Sequence, residues 1–304
     1  MNKSAIYNTL IEVIDKESIL QNVDMGQFTS FKAGGYADFL ISPSNNNELA
    51  GTLKILKEQN CEYFLMGNGS NFLVRDGGYR GAIVRIGKNF DKISVEGDIL
   101  TAGSGTLLSS IAKEAMENSL TGFEFAGGIP GSLGGAVVMN AGAYDGEIKN
   151  VLIHVNAMDK EGVIHKLNDR ELKLGYRHSI FQENGWIVLE ATLQLSHGDK
   201  DKIKEKMLKF NKLRNEKQPL NYPSGGSFFK RPEGYFAGKL VQDAKLKGLS
   251  LGGAQVSELH SGFIINKGGA TATDIINLMV IVQNTVWDKF GVMLEPEVRI
   301  IGER

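Results

Sequence analysis

Four glycine-rich stretches hold the residues whose types and spacing could do chemistry: GNGSN at 67–71, AGSG at 102–105, AGGIPGSLGGA at 126–136 and PSGGSFFKRP at 223–232. Glycine accepts positive φ and, having no Cβ, lets backbone amides approach an anion, so a ring of such loops can cradle a pyrophosphate. Singly, each of the first three reads more readily as a tight turn between short strands. Three of them at strand ends within about seventy residues favour a bound ligand over three unrelated turns. The fourth sets Ser227 beside two phenylalanines, Lys230 and Arg231, between prolines that bar an ordinary helix. It is either a packed bend, with Ser227 bonding local backbone, or a place where the backbone approaches another molecule.

The common nucleotide fingerprints do not account for these loops. GNGSNF and GSGTLL contain G-x-G but lack the third glycine, and no G-x-x-x-x-G-K-[ST] occurs, which disfavours both a Rossmann dinucleotide fold and a P-loop. A dinucleotide would need another architecture. The five histidines, at 154, 165, 178, 197 and 260, have no H-x-H or H-x-x-x-H spacing, so no metal site is expected. No G-x-S-x-G elbow supports a hydrolase. A lone Cys61 among apolar neighbours reads as a buried structural thiol in a reducing compartment.

At 304 residues the chain can hold two or three substructures, and its 37 glycines stand well above the usual ~7%. With 34 basic and 35 acidic residues it lacks the charge for non-specific nucleic-acid binding, though a local cationic pocket would still suit a small anion. Neither a secretory leader nor a spanning segment is apparent, and the expected location is cytoplasmic.

The elements that must position the loops alternate in type. Ile6, Leu10, Ile11 and Ile14 predict a short opening helix, and Glu48 to Gln59 a second. DFLISP, YFLMG, NFLVRDGG, GAIVRIG and ISVEGDILTAGSG read as strands. SGTLLSSIAKEAMENSL predicts a helix capped by Ser104 or Thr106. VLIHVNAMDKEGVIHKL predicts a hairpin turning at Asp159 to Gly162, and GWIVLEATLQLS a long strand. Asp199 to Lys217 is a charged helix with Ile203, Met207, Phe210 and Leu213 on one face, and it is the best candidate for a domain boundary. Beyond it the cycle restarts with GYFAGKLVQDAKL as helix, GFIIN as strand, Thr273 to Phe290 as helix and EPEVRIIG as strand.

TSFKAGG, GNGSNFLVRDGGYRG, GFEFAGGIPGSLGGAVVMNAGAYDGEI, YRHSIF, GGSFFKRP and LEPEVRIIG, taken in order, resemble the UDP-N-acetylenolpyruvoylglucosamine reductase family, in its short-loop form. The resemblance spans nearly the whole chain. It implies an α+β fold: a two-subdomain FAD-binding module of the vanillyl-alcohol-oxidase type, followed by an α/β substrate-binding domain. The expected boundaries are 1–20 for an N-terminal helix, 21–198 for the FAD-binding domain (about 21–100 and 101–198) and 199–304 for the substrate domain, whose last strand returns to the active site.

The resemblance also implies the chemistry. Gly67, Asn68, Gly69, Ser70 and Asn71 would hold the FAD pyrophosphate, with Gly127, Gly128, Pro130, Gly131, Ser132, Gly134 and Gly135 passing close to the cofactor. FAD would be non-covalent, since these loops contain no histidine or cysteine. NADPH would give a hydride to flavin N5, and reduced N5 would give it to the terminal alkene carbon of UDP-N-acetylglucosamine enolpyruvate. That addition puts enolate character beside the carboxylate, which calls for charge stabilisation and a proton. By resemblance Ser227 gives the proton, Arg177 pairs with the carboxylate and Glu297 acts with it. Tyr176, Lys217, Lys230 and Arg299 would bind substrate or nucleotide phosphate. Arg231 and His260 stand where some relatives carry amides, and no tyrosine lid is assigned. No nucleic acid, membrane or obligate protein partner is expected.

Two other readings stay open at the level of sequence. One is an FAD oxidase or dehydrogenase of the same fold acting on an alcohol or sugar. The other is a non-catalytic nucleotide-binding protein that keeps the glycine loops for regulation.

Overall fold

The computed structural model describes residues 2–303, which fall into two compact units. The first takes the chain up to Gln21, Phe39–Asn68 and Gly81–Arg214; the second takes Asn22–Asp38, Gly69–Arg80 and the chain from Asn215 on. Among the described residues no helix is long and apolar enough to cross a membrane.

The first unit has two hydrophobic cores. One gathers Ile6 and Leu10 of the helix Lys3–Leu10 and Leu49, Leu53 and Leu56 of the helix Asn46–Glu58, with Phe39, Ile41, Ala82 and Val84 of neighbouring strands. Cys61 is buried in this core, as its apolar neighbours predict. Asn45 starts the longer helix by accepting hydrogen bonds from the amides of Asn47 and Glu48, satisfying two donors that have no partner inside the helix. The second core lies on a five-stranded antiparallel sheet in the order Ile164–Asn168, Leu152–Met158, Ile187–Gln194, Ile99–Gly103, Ile93–Glu96. The expected hairpin is present, with Met158 opposite Ile164. Its turn is held by the Asp159 carboxylate, which accepts from the amides of Glu161 and Val163 at 2.9 Å and from His165 at 2.7 Å.

The second unit builds an antiparallel sheet in the order Ser224–Ser227, Phe263–Asn266, Ala254–Val256, Ser250–Leu251, covered by the helices Ala237–Asp243 and Ala272–Phe290. Thr271 and Asp274 form a capping box at the start of the latter helix, and Gly291 ends it at φ 65°. Asp76 adds a third acceptor, taking the amides of Ala272 and Thr273 at 2.9 and 2.8 Å. The strand Arg299–Ile301 runs parallel to Phe72–Val74, pairing Arg299 with Phe72.

Two local expectations are corrected. The helix after AGSG is Leu108–Glu117, and its cap position is Leu107 with no side-chain bond. Ser104 and Thr106 are buried, and neither Oγ has a hydrogen-bond partner among the described residues. Their carbonyls accept from the amides of Gly134 and Leu133, so both residues are held in tertiary packing rather than at the helix start. The third glycine cluster is also not all loop, because Leu133–Val138 is helical. Glycine weakens a helix by about 1 kcal/mol against alanine, and contacts from outside the segment override that preference here. A methyl at Gly134 would lie 2.9 Å from Ser104 Cβ, so close packing requires the glycine.

Candidate active site

In the first unit, four elements meet the 126–138 segment. Gly67 faces Ser132 so closely that a methyl on Gly67 would lie 2.5 Å from Ser132 Oγ. The AGSG segment runs alongside: Leu133 N donates to Thr106 O and Gly134 N to Ser104 O, both at 2.8 Å, and Leu107 bridges Ser132. Gly67 and the second and third glycine clusters are therefore neighbours. Their glycines do different work. A side chain at Gly105 would collide with the Gly87 carbonyl, so that residue permits backbone packing, whereas a methyl at Gly135 would meet no atom within 4 Å.

The Tyr176–Arg177 loop docks on the far end of the same helical segment. Ser179 Oγ and Gln182 Nε2 donate to Val138 O at 2.7 and 2.9 Å, Gln182 Nε2 also donates to Arg177 O at 3.0 Å, and Asn140 Nδ2 donates to Gly175 O at 3.0 Å. Arg177 sits at φ 53°, a conformation that costs a non-glycine residue about 1–2 kcal/mol and that these bonds enforce. Its guanidinium lies 5.3 Å from the centre of the exposed Tyr176 ring. Asn140 and Gln182, which fix this arginine, carried no recognisable signal in the sequence.

Residues of the helix Lys200–Lys217 reach the other end of the glycine segment. A methyl at Gly128 would lie 2.9 Å from Asn211 Oδ1 and 3.2 Å from Arg214 Cδ. Burial pulls the Arg214 guanidinium below its usual range, with Tyr144 opposing that shift. Lys217 of LRNEKQP is exposed, and Arg214, about one helical turn earlier, lies against the loop.

Glu124, just ahead of the glycines, anchors this arrangement. Its buried carboxylate accepts from Thr121 Oγ1, from Gly122 N at 3.1 Å and from Lys206 Nζ at 3.2 Å. Burial pushes this carboxyl up, but the bonds from Thr121 and the backbone, with the charge of Lys206, outweigh it and hold the group below the ordinary glutamate range. A carboxyl depressed on folding contributes stability above its unfolded value, and that stability is lost as pH falls through the folded one. Glu124→Ala is expected to cost about 2 kcal/mol near neutral pH by leaving buried donors unsatisfied. Urea titrations should show the charge-dependent part of the gap shrinking once the pH passes below the folded value.

The second unit holds the remaining candidates. The strand Ser224–Ser227 pairs Ser224 with Ile265 and Ser227 with Phe263, with an irregularity between them where Gly226 takes φ 81°. This bulge leaves Ser227 exposed. Glu297 N donates to Phe228 O at 2.8 Å and Phe229 bridges Pro296, so Glu297 lies against the residue that follows Ser227. Asn71 is the next neighbour: its Nδ2 donates to Glu297 O at 3.4 Å, and its carbonyl accepts from Arg299 N at 3.1 Å. Ser227, Glu297, Arg299 and Asn71 are thus brought together along one set of backbone contacts. Lys230 is held by Glu295, and Arg231 stacks 3.9 Å from the centre of the Phe236 ring. The two phenylalanines of PSGGSFFKRP are buried, Phe228 edge-on to Phe31 with ring centres 6.0 Å apart.

Juxtaposed glycine loops with room beside Gly135, the unpartnered hydroxyls of Ser104 and Thr106, and the close Gly67–Ser132 approach fit a dinucleotide lying along the segment. The comparisons agree. Residues 37–168 match the FAD binding domain family and residues 218–301 match the family described as UDP-N-acetylenolpyruvoylglucosamine reductase, C-terminal domain. The UDP-N-acetylenolpyruvoylglucosamine reductase of Clostridium novyi is 53% identical over 298 residues, covering 98% of this chain and 97% of its own. A crystal structure of the reductase of that name from Thermus caldophilus superposes with TM-score 0.79 at 33% identity, over 93% of this chain and 97% of the other. The grass pollen allergen Phl p 4, which has glucose dehydrogenase activity, shares only the fold, with TM-score 0.51 and 13% identity over 64% of this chain and 44% of its own. The expected α+β class, an FAD-binding module followed by a second domain, is what these matches find. With full-length relatives at this identity and both characteristic domains present in order, the chain belongs to the UDP-N-acetylenolpyruvoylglucosamine reductase family of FAD-dependent oxidoreductases.

Proposed function

We propose that this chain, in the cytoplasm, reduces the enolpyruvyl double bond of UDP-N-acetylglucosamine enolpyruvate to give UDP-N-acetylmuramate for peptidoglycan synthesis, with NADPH as reductant. The observation that carries the reading is the exposed Ser227 on its bulge, with the next residue, Phe228, bonded to Glu297. Bound FAD supplies the hydride-transferring chemistry that the chain's own side chains lack, and Gly67 to Asn71 and the 127–135 segment hold it. Hydride addition at the terminal alkene carbon leaves negative charge on the carbon next to the carboxylate and on the carboxylate oxygens. Arg177 pairs with that carboxylate, Glu297 shares in stabilising it, and Ser227 delivers a proton to the adjacent carbon, completing addition of H⁻ and H⁺ across the double bond.

A serine hydroxyl is a weak acid in water, but the acceptor here is a strong base, so placement matters more than acidity. Tyr176, Lys217 and Arg299 bind the sugar or the diphosphate. Lys230 does so on release from Glu295. The partly buried Arg214, against Gly128, contributes a fixed positive charge to the cofactor loop.

The purified protein is expected to be yellow and to release FAD on denaturation. After anaerobic reduction by NADPH it should be reoxidised rapidly by UDP-N-acetylglucosamine enolpyruvate and not by simple sugars or alcohols' oxidation products. Failure of the enolpyruvyl substrate to reoxidise the protein overturns the proposal.

A further inference from the structure

The second unit contains a connection that none of these roles uses. Ser30, in the TSFKAGG segment, places its Oγ 2.6 Å from Ser224 O and 3.3 Å from Ser70 O. Its backbone amide donates to Gly69 O at 2.9 Å. One residue thus touches both the first glycine cluster, at Gly69 and Ser70, and the first residue of the strand that bulges to expose Ser227. The hydroxyl has a single proton and two carbonyl acceptors, and the shorter distance marks Ser224 as the principal one.

The surroundings keep Ser30 from following the bulge. Phe31 is fully buried and its carbonyl accepts from Asn266 Nδ2 at 3.0 Å, while Thr29 Oγ1 donates to Ala33 O at 3.1 Å. Lys32, at φ 52°, closes the turn by donating its amide to Thr29 O. On the other side, Gly225 packs so tightly on the Phe31 ring that no side chain would fit. Within the bulge, Gly226 has positive φ and open space around it, so the chain resists displacement weakly at that residue. The Ser30 hydroxyl is a side-chain tether at Ser224, two residues ahead of that weak point.

We propose that Ser30 is a positioning residue for the reduction: its hydroxyl pins the Ser224 carbonyl and thereby sets where Ser227 stands relative to the Gly69–Asn71 loop. This rests on the reading of Ser227 as proton donor. A displaced donor loses rate far out of proportion to the bond that placed it, because proton delivery requires approach within hydrogen-bonding reach.

The test compares Ser30→Ala, Ser30→Thr and Ser227→Ala in the full-length, FAD-loaded protein, with a second readout on the flavin-free chain. Ser30→Ala is expected to bind FAD with unchanged affinity and to be reduced by NADPH at the normal rate, while reoxidation by the enolpyruvyl substrate falls about tenfold. In the flavin-free chain, backbone amides over 224–229 should exchange with deuterium faster, with those over 275–290, which make no ladder bonds to that segment, unaffected. Ser30→Thr, which keeps the hydroxyl, should restore both. In a Ser227→Ala background, Ser30→Ala should add little, since a positioning effect vanishes with the group positioned. If the alanine chain does not fold, Ser30→Cys, of similar size and a weaker donor, is measured in the same way and should show the same selective slowing. Equal slowing of both half-reactions, weakened FAD binding, or full additivity with Ser227→Ala overturns the proposal. If Ser227→Ala itself leaves reoxidation unchanged, the proton-donor reading fails instead, and the two failures are distinguished.

Discussion

Replacing Ser227 by alanine is expected to leave reduction by NADPH intact and to slow reoxidation by the enolpyruvyl substrate by a factor on the order of 10²–10⁴, the range associated with loss of a positioned general acid. The substitution is structurally mild. Ser227 is exposed, and its neighbours are held by main-chain bonds: Phe228 N to Gly262 O and Glu297 N to Phe228 O, both at 2.8 Å. Removing an exposed hydroxyl from such a frame typically changes stability by under about 0.5 kcal/mol. Anaerobic rapid mixing, one half-reaction at a time, separates the outcomes. A selective loss in the second half-reaction marks proton delivery, and an equal loss in both marks damage to the loop.

The second large effect is expected at Gly69. Alanine there must adopt φ 73°, which costs about 1–2 kcal/mol, and its methyl would run into the Phe28 carbonyl oxygen. That carbonyl cannot retreat easily, because Phe28 N is tied to Met25 O and Ser30 N to Gly69 O. Gly69→Ala should therefore lose about 3 kcal/mol or more and emerge largely colourless. Gly97→Ala is the matched control, since Gly97 has φ 62° but nothing within 4 Å of the added methyl. It should lose only the conformational share, about 1 kcal/mol, and keep its flavin. Urea unfolding and the ratio of flavin to protein absorbance measure both, and equal stability of the two variants would show that the Phe28 contact is soft.

Much of this architecture is legible in the sequence because it is local. The hairpin at Asp159 follows from an aspartate that caps its own turn, and the helix Ala272–Phe290 begins one residue before its predicted start, at a capping box. Legibility fails where partners are remote. Ser104 and Thr106 look like caps because a hydroxyl before an apolar run usually is one, yet their environment is the helical glycine segment about thirty residues on. That segment looks like loop because glycine disfavours helix, yet Gly134 is there for clearance from Ser104.

The candidate site divides along the same line. Glycine clusters and an odd serine are visible as composition. Arg177 and Glu297 stand out only through likeness to a family, since a lone arginine or a strand glutamate has simpler explanations, and the same likeness gives Ser227 its role. Asn140, Arg214 and Ser30 have roles only through contacts with distant residues, so no local pattern marks them.

The pairing of Arg299–Ile301 with Phe72–Val74 also governs how the protein is made. Asn71 and Glu297 are 226 residues apart, and on a ribosome adding about 5–20 residues per second the partner of the earlier segment emerges on the order of ten to forty-five seconds later. Until then the strand Phe72–Val74 has an open edge, and until Ser224–Ser227 is made the Ser30 segment has no bulge to hold. The first unit, whose segments are all synthesised by Arg214, can settle beforehand. Nascent chains stalled before the last strand should therefore carry an ordered first unit and a protease-sensitive second one, and synthesis, rather than collapse, sets the earliest moment at which a complete second unit exists.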